Sequence, residues 1–127
     1  MQENHLFEYA IIRIVPRVER EEFLNVGVIL YCKKLNFLET KYILDEKRLL
    51  AFCDSLDITE LQAYLSSFQK ISKGVKEGGP IGSLDTASRF RWLTATRSTV
   101  VQTSKVHPGF CADADEALTH LYTQLVL

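Results

Sequence analysis

The sequence is poor in the residues that build metal sites and disulfide frameworks. Its three cysteines, Cys32, Cys53 and Cys111, are far apart and include no Cys-x-x-Cys pair. The three histidines are also scattered, so no metal-ligand spacing is present, and we expect neither a metal nor another cofactor. An odd number of cysteines without such spacing favours reduced, buried thiols and a cytoplasmic protein.

Several classes of protein lack support because their sequence signatures are missing. No apolar run approaches the roughly 20 residues that a membrane-spanning helix needs, so we expect no membrane association. Residues 1–5 lack the basic and then apolar order of a signal peptide, which again favours the cytoplasm. Gly-x-Ser-x-Gly, Walker and kinase motifs are absent. A net charge of −1 argues against non-specific coating of nucleic acid, without excluding a specific nucleic-acid ligand.

Carboxylates are missing from one long segment, residues 86–111. The segment carries four cations, Arg89, Arg91, Arg97 and Lys105. Hydroxyl groups, one Gln, one His and the only Trp of the chain lie among them. In a protein of nearly neutral charge, such a segment requires an anionic ligand or an acidic partner surface to balance it. We therefore expect the function to centre on this segment.

The hydrophobic patterns predict a single α+β domain over residues 1–127, with a small antiparallel sheet and helices mainly on one face. Strands are predicted at residues 5–16, 23–32 and 38–44, and their short connections favour a three-strand meander. A fourth strand is predicted near residues 98–104, where β-branched side chains alternate. Helices are predicted after Asp45, Asp57, Asp85 and Asp113, because aspartate is a strong helix N-cap.

Strand two suggests how the layers pack. Leu24, Val26, Val28 and Leu30 form an apolar face that we expect to meet both the 58–75 helix and the C-terminal helix. Gly27 within this strand predicts a β-bulge or the close approach of another group. The glycine-rich residues 78–82 are predicted to form a mobile connector.

Arg13 is the first candidate site residue. It lies in a predicted strand on the same face as Tyr9 and Ile11, where an unpaired buried charge would be costly. Arg13 must therefore extend to solvent, pair with a carboxylate such as Glu21 or Glu22, or face a pocket.

The segment from Arg91 to His107 supplies the other candidates. At Arg97-Ser98 a guanidinium, hydroxyls and backbone N–H groups converge on an anion, or Arg97 simply satisfies carbonyls at the preceding helix end. Gln102 and Ser104 share a strand face with Ser98, and this polar face either lines a groove or meets water. His107 precedes Pro-Gly, which predicts a turn, and it is the best-placed candidate for acid–base work. An ordinary loop histidine is the alternative.

Three segments together resemble a known family. Tyr9–Pro16, Glu22–Val28 and Phe90–Thr99, with Gln102 and His107, are similar to the domain of unknown function 3037 family of short bacterial proteins. The motif positions carried over are Arg13, Glu22, Asn25, Gly27, Arg91, Trp92, Arg97, Ser98, Gln102, Ser104 and His107. Thr96 departs from the family, in which proline is common at this position.

The resemblance implies no established activity. Genes of this family often lie beside those of HipA-like kinases, relatives of toxin–antitoxin kinases. This association implies an accessory, antitoxin-like or substrate role and a HipA-like kinase, or another protein, as partner.

Three functions are compatible with these observations. The first is a non-catalytic binding module whose cleft holds a phosphate, a nucleotide, or an acidic or phosphorylated peptide. The expected cleft residues are Arg13, Asn25, Arg91, Arg97, Ser98, Gln102, Ser104 and His107. The second is a metal-independent enzyme acting on a phosphate ester, nucleotide or RNA, with His107 as acid or base. The third is a scaffold in which every arginine is tied to a carboxylate or a helix end. The first two functions both require Arg13, Arg97 and His107 to converge in one pocket.

Overall fold

The computed structural model describes residues 4–97 and 99–127, so the predicted site residue Ser98 lies outside the described residues. The described chain has an α+β fold, as the sequence predicts. Its strands are β1 (His5–Ile14), β2 (Leu24–Cys32), β3 (Phe37–Tyr42), β4 (Val101–Thr103) and β5 (His107–Cys111). Its helices are α1 (Glu46–Phe52), α2 (Ile58–Lys73), α3 (Gly79–Gly82), α4 (Thr86–Leu93) and α5 (Ala114–Leu125).

β1 is the central strand of an open antiparallel sheet with the order β3-β2-β1-β4. One edge of β1 pairs with β2, and the other edge pairs with β5 along residues 5–9 and with β4 along residues 12–14. The predicted meander and the strand near 98–104 are confirmed. The prediction of a turn at His107 is wrong, because His107 begins β5. Pro108 and Gly109 are typical turn residues, so the sequence pattern does not predict this strand. The strand can nevertheless contain proline because it lies at the edge of the sheet.

A β-bulge at Gly27 divides the apolar residues of β2 between the two sheet faces. The β1–β2 register shifts between Ile12 and Arg13, and a Cβ at Gly27 would lie 2.7 Å from the carbonyl oxygen of Lys41. The predicted bulge and close approach are therefore both confirmed. A bulge interrupts the alternation of side chains along a strand. Residues that would share a sheet face by simple alternation therefore point to opposite faces when the bulge lies between them.

Each face of the sheet carries its own apolar core. Ile12, Ile14, Val26, Ile29 and Tyr31 pack against α1, α2 and α4, and we call this side the α2 face. Phe7, Val28, Leu30 and Cys32 pack against α5, and we call this side the α5 face. The expectation that one face of strand two meets both long helices is wrong, because the bulge at Gly27 turns Val28 and Leu30 away from Leu24 and Val26.

Aspartate caps begin the helices at the predicted places. Asp45, Asp57, Asp85 and Asp113 each accept a hydrogen bond from a backbone N–H in the first helical turn. Residues 79–82 form the short helix α3 instead of the predicted connector. Pro80 suits this helix because proline is favourable in a first helical turn, where its missing N–H has no partner to lose.

Candidate functional site

Arg13 lies on the α5 face near the end of β1, where it meets two other predicted site residues. Arg13 is opposite Asn25 of β2 and opposite Gln102 of β4. Residues directly opposite each other in antiparallel strands have Cβ atoms about 5 Å apart on the same face. The sheet register therefore gathers three candidates from distant parts of the sequence.

The guanidinium of Arg13 is partly buried and has no hydrogen-bond or ion-pair partner among the described residues. Its Nε is buried without a hydrogen bond, and its central carbon lies 3.9 Å from the ring centroid of Phe23. Neither predicted carboxylate pairs with it. Glu22 binds Arg20 instead, which is the one ion pair between described residues, and Glu21 lies nearby without forming one. Burial lowers the pKa of Arg13, although a guanidinium stays protonated at neutral pH.

A groove of about 330 Å³ opens beside Arg13, and we call it the Arg13 groove. It is lined by Arg13, Val15, Val18, Glu21, Phe23 and Gln102. Asn25 lies on the neighbouring strand, where its Nδ2 donates to the carbonyl oxygen of Leu125 at 3.2 Å. Its Oδ1 is buried without a hydrogen bond in the described structure. One buried donor and one buried acceptor are thus unsatisfied on adjacent strands.

Ser104 has a structural role at the junction of β4 and β5. Its backbone N–H donates to the carbonyl oxygen of Ile11 at 2.8 Å, and its Oγ accepts from the N–H of Ile11 at 2.9 Å. The Oγ–H also donates to the carbonyl oxygen of Lys105 at 2.9 Å. The buried hydroxyl thereby supplies a sheet hydrogen bond where the backbone changes course.

His107 lies on the same sheet face as Arg13 but farther along β1. It is opposite Tyr9, and the two ring centroids are 5.4 Å apart. Tyr9 precedes Arg13 by four residues, which corresponds to about 13 Å along a strand. His107 is not among the residues that line the Arg13 groove. The expected convergence of Arg13 and His107 in one pocket is therefore not found in the described structure.

Arg91 and Arg97 belong to the opposite side of the sheet. Arg97 donates to the carbonyl oxygens of Leu93 at 3.0 Å and Ala95 at 3.3 Å, and also to that of Trp92. The central carbon of its guanidinium also lies 4.7 Å from the centroid of the Trp92 ring. Arg97 thus binds the free carbonyl groups at the C-terminal end of α4. Arg91 is exposed in the last turn of the same helix. The structure does not bring either residue to Arg13, because α4 packs on the α2 face.

Arg89 binds carbonyl groups at the C-terminal end of another helix, α2. It donates to the carbonyl oxygens of Ile71 at 3.0 Å, Ser72 at 2.7 Å and Leu84 at 3.0 Å. Two of these carbonyls, those of Ile71 and Ser72, belong to the last turn of α2, where the final carbonyls run out of helical N–H partners. The carbonyl oxygen of Ile71 also accepts from the N–H of Gly74 at 3.0 Å. Arg89 and Arg97 thus behave as the scaffold hypothesis predicts, whereas Arg13 does not.

Sequence reasoning missed Phe23, which lies against the guanidinium of Arg13. One signal was available in the sequence. Phe23 stands two residues before Asn25, so strand alternation predicts that the two side chains share a face. Phe23 is 43% exposed despite its aromatic ring, so the groove is open on this side.

Clusters of three or more His, Cys, Asp or Glu side chains able to hold a metal ion are absent from residues 4–97 and 99–127. None of the described helices is both long enough and apolar enough to cross a bilayer.

Comparison with known proteins identifies the family. No curated protein matches the chain, and no solved structure matches it. A family model described as a protein of unknown function (DUF3037) matches residues 9–126, which include all the strands except the first four residues of β1, and all the helices. The chain therefore belongs to the DUF3037 family.

Proposed function

We propose that this protein is a non-catalytic binding module whose Arg13 groove holds a single anionic group of a ligand or partner. The observation that carries the proposal is the partly buried guanidinium of Arg13, which has no hydrogen bond or ion pair to a described residue. Burying a charged group without a partner costs free energy, and a phosphate or carboxylate supplies charge-assisted hydrogen bonds that offset this cost.

The groove also indicates what kind of anion fits. Phe23 covers one face of the Arg13 guanidinium, so the N–H groups at its edge are the ones left to meet a ligand. Gln102 adds a neutral amide at the wall. Glu21 lines the same groove and repels additional anionic groups, which favours a single carboxylate or phosphate over a polyphosphate.

Binding is favoured over metal-independent catalysis by the position of His107. A general acid or base must come within hydrogen-bond reach of the reacting group. His107 is opposite Tyr9, about 13 Å along β1 from Arg13 at the usual rise per residue.

We extend the proposal to a cytoplasmic, antitoxin-like accessory role beside a HipA-like kinase or another protein. The support is the gene association that the family resemblance implies. In such a role, the Arg13 groove is suited to an acidic or phosphorylated side chain of the partner.

A ligand screen with matched arginine variants tests the groove. Thermal unfolding would be followed with inorganic phosphate, acetate, phosphoserine and adenosine monophosphate, because a ligand that binds the folded state raises its stability. At about 100 times the Kd the expected stabilisation is about 2.7 kcal/mol. We expect it to disappear in Arg13→Met and to persist in Arg91→Met, which removes the same charge from the opposite face.

Two results would contradict the proposal. One is an equal loss of stabilisation in Arg13→Met and Arg91→Met. The other is an unchanged thermal stability of the wild-type protein with all four compounds at concentrations up to tenfold above a Kd of about 1 mM, which is the weak end of specific binding.

A further inference from the structure

A second groove runs along α2 on the side of the sheet away from the Arg13 guanidinium. Two cavities of about 570 Å³ and 340 Å³ follow each other here and share Glu60 and Tyr64 as lining residues. The first extends to Val18 and Val100, and the second ends at Trp92. We call the pair the α2 groove. From Asp57 to Ile71 it follows α2 for about 21 Å at the rise of an α-helix.

Exposed apolar side chains concentrate on this groove. Val18, Tyr64, Trp92 and Val100 all line it, and each keeps 38–42% of its surface exposed. Single exposed apolar residues are ordinary on protein surfaces, whereas a contiguous set marks an interaction site. Tyrosine and tryptophan are also the residues that most often dominate the binding energy of protein interfaces.

The charge of the groove selects its partner. Asp57 and Glu60 are the only charged residues among the described lining residues, and neither forms a described ion pair. Asp57 caps α2 by accepting from the N–H of Glu60, while the carboxylate of Glu60 has no hydrogen bond to a described residue. Arg97 lies over Trp92 at one end of the groove, and its charge is offset in part by the partial negative charge of the α4 C-terminus, whose carbonyls it binds. An occupant with basic side chains therefore complements this surface.

The walls of the groove favour a helix over an extended strand. Between Tyr64 and Trp92 the lining consists of side chains of α2 and α4, whose backbone groups are used within the helices or, at the end of α4, by Arg97. At the other end, the carbonyl oxygen of Val100 already accepts from the N–H of Val15. A strand needs free backbone partners, whereas a helix satisfies its own backbone and presents only an apolar stripe.

We propose that the α2 groove binds an amphipathic, basic helix of a partner protein. The site shares only Val18 with the described lining of the Arg13 groove, and it does not depend on anion binding there. About 14 residues of helix span the distance from Asp57 to Ile71, and anchors at i, i+4, i+7 and i+11 cover about 17 Å of it.

Trp92 is the only tryptophan of the chain, so its fluorescence reports directly on occupancy of the groove. Two synthetic helical peptides without aromatic residues would be titrated. They carry the same leucine stripe, with lysine on the flanks of one and glutamate on the flanks of the other. We expect the lysine peptide to shift Trp92 emission to the blue saturably and to bind at least tenfold more tightly. Glu60→Gln should reduce this difference between the peptides.

Matched variants show which part of the surface binds the lysine peptide. Tyr64→Ala should weaken the lysine peptide at least tenfold, and a thermal melt verifies that the variant is folded. Phe110→Ala removes an aromatic ring that is 72% exposed on β5 and should leave binding unchanged. Arg13→Met should also have no effect, so failure of the anion proposal would remain distinguishable.

Four outcomes overturn the inference. The first is no saturable change in Trp92 emission with either peptide at millimolar concentration. The second is equal affinity for the two peptides. The third is a loss of affinity for the lysine peptide in Phe110→Ala that is as large as the loss in Tyr64→Ala. The fourth is sedimentation showing a dimer that Tyr64→Ala dissociates, which would make a second copy of this chain the occupant.

Discussion

Arg13→Met and Arg89→Met should change the free energy of unfolding in opposite directions. At Arg13, substitution removes a buried donor that costs about 1–3 kcal/mol when unsatisfied. It also removes a cation–π contact with Phe23, which contributes about 0.5–1 kcal/mol at an exposed site. Methionine keeps an apolar stem against the ring. The expected net effect is a stabilisation of about 1 kcal/mol.

Arg89→Met should be clearly destabilising. The variant leaves the carbonyl oxygens of Ile71, Ser72 and Leu84 without this donor. Hydrogen bonds to charged groups contribute about 1.5–3 kcal/mol each, and partial exposure reduces the sum, so we expect a loss of about 2–4 kcal/mol. The cation near the C-terminus of α2 is lost as well.

Urea unfolding followed by far-UV circular dichroism measures both free energies. For a domain of this size, 1 kcal/mol corresponds to about 3–5 °C in Tm, so calorimetry gives an independent check. The contrast between the two variants matters more than either value, since both lose one charge and gain the same side chain. If Arg13→Met destabilises the fold as much as Arg89→Met does, then Arg13 is a structural arginine and the groove loses its basis.

Three further predictions test other parts of the structure. Gly109→Ala should cost about 1–3 kcal/mol in urea unfolding, because the added Cβ would overlap the buried ring of Phe7; an unchanged midpoint would contradict this packing. Iodoacetamide followed by mass spectrometry should label Cys53 first, since its hydrogen bond with Ser55 lowers the pKa of this half-exposed thiol while the other two cysteines are buried. Ser55→Ala should slow that labelling. The hydrogen bond at the start of α4 lowers the pKa of Asp85, so its stabilisation exists above the ordinary aspartate pKa and is lost as pH falls through the lowered value. Asp85→Ala should therefore lower Tm at pH 7, with the difference from wild type vanishing in strong acid.

Local signals made most of the fold predictable from the sequence. Aspartate caps mark helix starts because they act within one helical turn, and alternating apolar residues reveal β1 to β3. β5 was missed because Pro108 and Gly109 are turn residues in most sequences, and only pairing with β1 makes them a strand. The Gly27 bulge was expected, but its effect on the two sheet faces depends on the register with β1.

The candidate site was predictable only in part. Strand alternation predicts Arg13 and Gln102 as candidates, the family resemblance adds Asn25, and the sheet register places the three together. Arg97 binds carbonyl groups at the end of α4, which is one of the two roles that the sequence leaves open. The sequence cannot decide between them because the orientation of carbonyls at a helix end depends on the three-dimensional structure. His107 was expected near Arg13, yet it pairs with Tyr9 through a strand that the sequence did not reveal.

The most direct measurement of the central claim is the NMR signal of the Arg13 Nη–H groups, at the edge of the guanidinium, during titration with inorganic phosphate. The assignment would come from Arg13→Lys. The account predicts that this signal shifts and becomes protected from exchange as the anion binds, while the signals of Arg89 and Arg97 stay fixed. An Arg13 signal that does not move at saturating phosphate, or anion-dependent shifts confined to other arginines, would contradict it.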